Sequence, residues 1–132
     1  MKKRQIHSSL KVLVVSDIER AKNYYSEVLG CEVTDWWVLR DGFTGLAIKL
    51  LEARDPKDVK PNPPAKGMEH GIDLYCYVEN WQALDELYRE FKAKGAKIVF
   101  EPWVDENNGP WKEFALTDLD GYCIAFRGTD GN

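Results

Sequence analysis

Long apolar runs are missing from this sequence. No segment approaches the ~20 consecutive apolar residues that a bilayer span requires. The basic start, Lys2-Lys3-Arg4, is not followed by an apolar stretch of signal length. We therefore expect no membrane partner and a cytoplasmic location. A basic stripe is also missing. Eighteen Lys and Arg stand against 22 Asp and Glu, for a net charge of -4, so nothing is arranged to neutralise phosphates and nucleic acid is a poor partner. Cysteine is sparse and odd in number. Cys31, Cys76 and Cys123 lie far apart within apolar, strand-like runs, which fits buried free thiols in a reducing compartment better than a disulfide framework. No nucleophile set is evident either. Ser8, Ser9, Ser16 and Ser26 have no histidine and acid partners that the strand pattern would bring to them, so no catalytic residue is assigned.

What remains is an ordinary globular composition, 44% hydrophobic and 30% charged over 132 residues. That supplies one compact unit with one core.

The strongest positive signal is a repeat. His7-Ser-Ser-Leu-Lys-Val-Leu-Val-Val-Ser-Asp17 aligns without gaps to His70-Gly-Ile-Asp-Leu-Tyr-Cys-Tyr-Val-Glu-Asn80. Each copy is a strand-like run leading into a helix. Ser16 with Glu19 forms a capping-box pattern, and Asn80 is a good N-cap for the second helix. Ile18, Ala21, Tyr24, Tyr25 and Val28 share their spacing with Trp81, Leu84, Leu87, Tyr88 and Phe91, one helical face in each copy. Gly30 and Gly95 supply the stops.

Short strands follow each helix: 31–35, 36–41 and 44–52 in the first copy, with Asp41-Gly42 as a turn, and 96–104, 111–117 and 122–127 in the second, with a turn at 118–121. The proline-rich stretch 54–67 between them reads as an extended linker without an element. The expected fold is α+β: tandem βαβββ modules, about 6–53 and 69–128 around a linker at 54–68, in a single domain spanning 1–132. The faces not covered by helices curve into a cleft.

Strand parity assigns the faces. Leu13, Val15, Ile48, Leu50, Leu74, Cys76, Val78, Phe114, Leu116, Ile124 and Phe126 lie under helices. The cleft side then receives Lys49, Asp73, Tyr75, Tyr77, Trp111, Glu113 and Arg127, together with Ala47, Leu51, Ala115, Cys123 and Ala125. A few polar groups on an aromatic wall is the usual make-up of a ligand site.

Val15-Ser-Asp-Ile-Glu-Arg-Ala-Lys-Asn-Tyr-Tyr-Ser-Glu-Val-Leu-Gly30 resembles the first-helix signature of the glyoxalase / bleomycin-resistance / extradiol dioxygenase (vicinal oxygen chelate) superfamily. Trp111-Lys-Glu-Phe-Ala-Leu-Thr-Asp-Leu-Asp-Gly-Tyr122 resembles its C-terminal hairpin, in the form of the bleomycin-resistance branch. The resemblance covers nearly the whole chain and implies the glyoxalase/bleomycin-resistance fold, a curved mixed sheet with a cleft. Enzymes of that superfamily hold a divalent metal with one residue from each of four strands. Carried over, those positions are Leu10, Lys49, Asp73 and Ala125. Leucine and alanine have no lone pair to donate, and an ammonium group repels a cation, so no metal ligand and no cofactor are assigned. His7 and His70 lie three residues before two of these positions and read as structural or surface groups rather than ligands. The turn at 118–121 lacks the acids of a calcium loop.

Lys49 and Asp73 occupy two of the four corners with opposite charges. Either they pair, or Lys49 reaches solvent and never meets Asp73. Trp81 belongs to a helix core face, and one of Trp36 and Trp37 to the core. Trp103 and Trp111 flank the polar loop 104–110, which reads as a lid over the cleft.

The expected ligand-binding residues are Lys49, Asp73, Tyr75, Trp103, Trp111, Glu113 and Arg127. The resemblance implies a metal-independent small-molecule binding protein. It would sequester a flat cationic antibiotic such as bleomycin by stacking on Trp111 with Asp73 and Glu113 toward the cation, and it would work as a homodimer that completes two clefts. The alternative is a glyoxalase-like lyase or related enzyme acting on a small oxygenated substrate, using an unforeseen metal set or acid–base work by Glu113 or Asp73. A third reading is a housekeeping paralogue that binds an unknown metabolite.

Overall fold

The structure is a computed structural model that describes residues 3–107 and 109–130. Met1, Lys2, Asn108, Gly131 and Asn132 lie outside the described residues, and with them part of the basic start and of the loop expected to act as a lid.

The chain runs β1 (Lys11–Val15), α1 (Ile18–Glu27), β2 (Glu32–Val33), β3 (Val38–Arg40), β4 (Leu46–Glu52), then β5 (Leu74–Val78), α2 (Trp81–Ala93), β6 (Lys97–Asp105), β7 (Trp111–Thr117) and β8 (Cys123–Gly128). This is the expected βαβββ unit written twice. The strands form two four-stranded sheets, ordered β1-β4-β3-β2 and β5-β8-β7-β6. In each, the strand before the helix runs parallel to the last strand of its module, and the other pairs are antiparallel.

Helix ends follow local chemistry. The N-cap of α1 is Asp17, whose carboxylate accepts from the Arg20 N–H at 3.1 Å. The expected cap at Ser16 is therefore one residue early. The Ser16 N–H instead donates to Asp120 at 3.3 Å, so the box with Glu19 does not form. Asn80 caps α2 as expected, accepting from Ala83 at 2.8 Å. Gly30 and Gly95 take φ of 67° and 91° just beyond the helices, a conformation a side chain resists. The linker contains one short 3-10 turn, Pro56–Asp58, capped by Asp55, where no element was expected.

The two helix-covered faces meet in one core. Leu13, Val15, Tyr25, Leu29, Ile48, Leu84, Phe91, Phe114, Leu116 and Ile124 are all at most 1% exposed and belong to a single cluster drawn from both modules. Burying such side chains contributes about 1.5–3 kcal/mol each. Polar bonds fasten the seam. The Tyr25 hydroxyl donates to the buried Asp118 carboxylate at 2.7 Å. Arg40 grips Glu90 with both guanidinium nitrogens at 2.6 and 3.1 Å and also donates to the Leu29 carbonyl. The modules are thus joined back to back within one chain. The sheet faces turned away from the helices are left open, with Val12, Leu51, Tyr75 and Tyr77 all at least 40% exposed.

Neither Trp36 nor Trp37 is a core residue. Both lie in the bend before β3, 68% and 37% exposed, because the Thr34 hydroxyl accepts from both of their N–H groups and holds the chain out of strand geometry. Trp81 is half-buried, and its indole donates to the Pro110 carbonyl at 3.1 Å.

Candidate ligand cleft

Two rungs of the second sheet make the site. The ladder places Tyr75 beside Ala125, Ala125 beside Ala115, and Ala115 beside Phe100. The next rung reads Tyr77, Arg127, Glu113, Trp103. Strand parity puts both rungs on the open face. The first is a floor of small residues, with Ala115 and Ala125 fully buried, bounded by aromatic rings. The second puts a charged pair between aromatic ends. A cavity of about 670 Å³ lies over them, lined by Tyr75, Phe100, Trp103, Glu113 and Arg127, with His70 at its wall.

The charges are concentrated. Arg127 Nε stands 2.7 Å from Glu113 Oε1, and Arg127 Nη2 donates to Asp105 Oδ2 at 3.0 Å. The side chains of Glu113, Asp105 and Arg127 are only 7%, 16% and 21% exposed. The Nε–Glu113 contact is a close charge pair rather than an aligned hydrogen bond, since the Nε–H has no well-directed acceptor. The guanidinium also lies 5.3 Å from the Trp111 ring centre, and Tyr77 packs edge-on against that ring at 6.0 Å. Burial, then the nearby Glu113, pushes the Tyr75 phenol above its ordinary value, so it faces the cavity as a neutral hydroxyl.

Tyr75, Trp103, Glu113 and Arg127 are therefore brought together around one cavity, with Trp111 behind Arg127. Lys49 and Asp73 are not part of this group. Lys49 is on the other sheet, its ammonium directed to the Trp36 carbonyl at 3.4 Å and over the Trp36 ring. Asp73 spends both carboxylate oxygens on backbone, accepting from Asn62 N–H at 2.8 Å and Cys123 N–H at 2.9 Å. It clips the linker to the start of β8. No ion pair joins Lys49 and Asp73 among the described residues.

The four corners where the superfamily places metal ligands do not fit a metal. Leu10 and Ala125 carry no donor atom. Lys49 and Ala125 are register equivalents, paired with Val12 and Tyr75, which the repeat aligns. No group of three His, Cys, Asp or Glu side chains suited to a metal ion occurs among the described residues. Nor do the thiols offer a nucleophile. Burial raises Cys31 and Cys76 to about 12 and Cys123 to about 11, so all three are protonated near neutral pH.

Sequence reasoning missed His70 and Phe100 as cavity residues. His70 stacks on Phe100 with ring centres 5.6 Å apart. It lies outside any strand, where parity has no force. Phe100 follows a register shift in β6 that turns its ring toward the floor.

Comparison with known proteins agrees with this architecture. A family model described as the Glyoxalase/Bleomycin resistance protein/Dioxygenase superfamily matches residues 6–126. Among solved structures, a member of that superfamily from Sphaerobacter thermophilus is similar at 20% identity and a TM-score of 0.67, covering 96% of this chain and 98% of its own. An integron cassette protein from the mobile metagenome of Halifax Harbour sewage outfall is similar at 15% identity and a TM-score of 0.67, covering 92% and 97%. TioX from Micromonospora sp. ML1 is similar at 17% identity and a TM-score of 0.60, covering 92% and 95%. At these identities the likeness is one of fold. No curated protein sequence matches the chain significantly. No helix among the described residues is long and apolar enough to cross a membrane.

Proposed function

This chain belongs to the Glyoxalase/Bleomycin resistance protein/Dioxygenase superfamily, and from that premise we propose that it is a metal-independent binding protein for a flat, cationic small molecule. One observation carries this function. Asp105, Glu113 and Arg127 leave one formal negative charge uncompensated under an aromatic wall, in side chains largely withdrawn from water. A charge in that setting is costly unless a counter-charge joins it. A planar cation meets both needs: its ring lies on the alanine floor between Tyr75 and Phe100, and its charge approaches Glu113. The net charge of -4 favours encounter with cations.

The ligand need not react. Both carboxylates of the site, Glu113 and Asp105, are already held by Arg127, its phenol is neutral, and no set of side chains suited to a metal occurs among the described residues, which supports sequestration over a lyase reaction. Bleomycin is the precedent ligand within the superfamily and the natural first probe.

We further propose that two copies pair. The open face of the first sheet presents Val12 and Leu51 to solvent, 48% and 44% exposed, beside Lys49. That face would close the aromatic face of a second copy and dry its cavity.

Titration of EDTA-treated protein with bleomycin, followed by tryptophan fluorescence, tests the binding function. Trp103 lines the cavity and Trp111 lies just behind Arg127, so saturable quenching is expected. Absence of quenching across the soluble range of bleomycin sinks this choice of ligand.

A further inference from the structure

The internal repeat allows one half of the molecule to be compared with the other. Val12 pairs with Lys49 as Tyr75 pairs with Ala125. Two residues on, Val14 corresponds to Tyr77. Three residues back along the other strand, Leu46 corresponds to Tyr122.

The turn between β7 and β8 closes against the free edge of β1. Tyr122 is 4% exposed, and its hydroxyl donates to the Val14 carbonyl at 2.6 Å. Asp120 accepts from Ser16 N–H beside it. The turn between β3 and β4 faces the free edge of β5 in the same way, but leucine stands where the tyrosine would be. Among the described residues no hydrogen bond from that turn reaches the β5 edge. A cavity of about 330 Å³ lies there instead, lined by Leu46, Thr44, Tyr77, Leu87, Phe91 and Phe126.

We propose that this gap is a second small-molecule site, which meets the cleft at β5 through Tyr75 but is otherwise lined by different residues, and that it takes a small neutral phenol. Its walls come from the buried Leu46, Phe91 and Phe126 and the half-buried Leu87, which suit one aromatic ring. Its size sits at the lower end of ligand pockets, which run from about 300 to 1,000 Å³. The β5 edge has no strand beyond it, so its outward carbonyls lack the donor that Tyr122 gives Val14, and a ligand hydroxyl supplies one. Arg40 at the mouth is committed to Glu90 and the Leu29 carbonyl, so it is not available to hold an anion. The Asp41 carboxyl also lines the cavity, so an anion is disfavoured and the phenol enters with its proton, as the donor to the open carbonyl.

p-Cresol, the tyrosine side chain as a free molecule, is the probe. Titrated into the full chain and followed by NMR, it should bind saturably with one site per chain. Toluene, which lacks the hydroxyl, should bind about tenfold more weakly. Leu46→Tyr supplies the missing ring from the protein and should abolish p-cresol binding without lowering the melting temperature. Ala83→Leu narrows the same cavity from α2 and should weaken binding at least about tenfold, so the test survives if the first variant folds poorly. Glu113→Gln, in the cleft, should leave p-cresol affinity unchanged. No saturable binding to the wild-type chain overturns the proposal. So does binding that survives both cavity variants, or that is lost with Glu113→Gln.

Discussion

Glu113 and Arg127 are register partners on adjacent strands, 2.7 Å apart, and Arg127 reaches across β7 to Asp105 at the end of β6. One guanidinium thus serves two carboxylates. In this trio two carboxylates face one guanidinium, an excess of one formal negative charge in side chains largely withdrawn from solvent.

That excess makes Glu113 the residue on which cation affinity should depend most. Glu113→Gln keeps the shape and removes the charge. A charge-assisted hydrogen bond is worth roughly 1.5–3 kcal/mol, so bleomycin affinity should fall about 10- to 100-fold. Calorimetric titration of both proteins checks this. Equal affinities would mean that the cation does not approach Glu113.

Asp73 has a structural role that predicts a stability effect in place of a binding effect. Asp73→Ala leaves the Asn62 and Cys123 N–H groups without their acceptor. At about 1–3 kcal/mol for each unsatisfied buried group, discounted for partial exposure, the expected loss is about 2 kcal/mol. For a domain of this size that is a drop of roughly 6–12 °C in Tm. Circular dichroism melts measure it, and an unchanged Tm would show that the clip carries no load.

The Arg40–Glu90 pair predicts a pH dependence. Arg40 holds the Glu90 carboxyl below its ordinary value of 4.5, chiefly by its hydrogen bonds and against the cost of burial. A carboxylate lowered in the folded state adds stability above its unfolded pKa, and that stability is lost as pH falls through the folded value. The wild-type protein should therefore exceed Glu90→Gln in stability at neutral pH. The two should converge as pH falls below 4.5, and urea denaturation at several pH values follows the difference. A gap that is constant with pH would contradict it.

The open face of the first sheet predicts assembly. Leu51→Lys places a charge on the surface proposed to meet a second copy. Sedimentation should then report a dimer for the wild-type chain and a monomer for the variant, with no change in helix or strand content. A wild-type chain that is monomeric at high concentration contradicts the pairing.

The layout was readable where a period governs the chain. In β1, β4, β5, β7 and β8 the alternation of residues assigned every face as observed. Leu13 and Val15 are buried and Val12 is open. Tyr75 and Tyr77 are exposed while Leu74, Cys76 and Val78 turn to the core. Because Glu113 and Arg127 sit on such strands, alternation alone puts them on the cleft side. Legibility failed where backbone bonding overrides alternation. Thr34 bends the chain so that Trp36 and Trp37 leave strand geometry, the shift in β6 reorients Phe100, and His70 belongs to the linker's approach. Asp73 shows a second limit. It stands in the bend just before β5, where parity does not apply, and its two backbone partners, eleven and fifty residues away, depend on tertiary placement that no local pattern encodes.

We propose that this chain, unlike the metal-dependent enzymes of its superfamily, binds its ligand without a metal. The most direct test is a thermal shift of EDTA-treated protein against nickel, zinc, manganese and bleomycin in parallel. We predict a saturable rise in Tm with bleomycin and none with the three metals. A stoichiometric rise with a metal, and a response to bleomycin only when that metal is present, would contradict it.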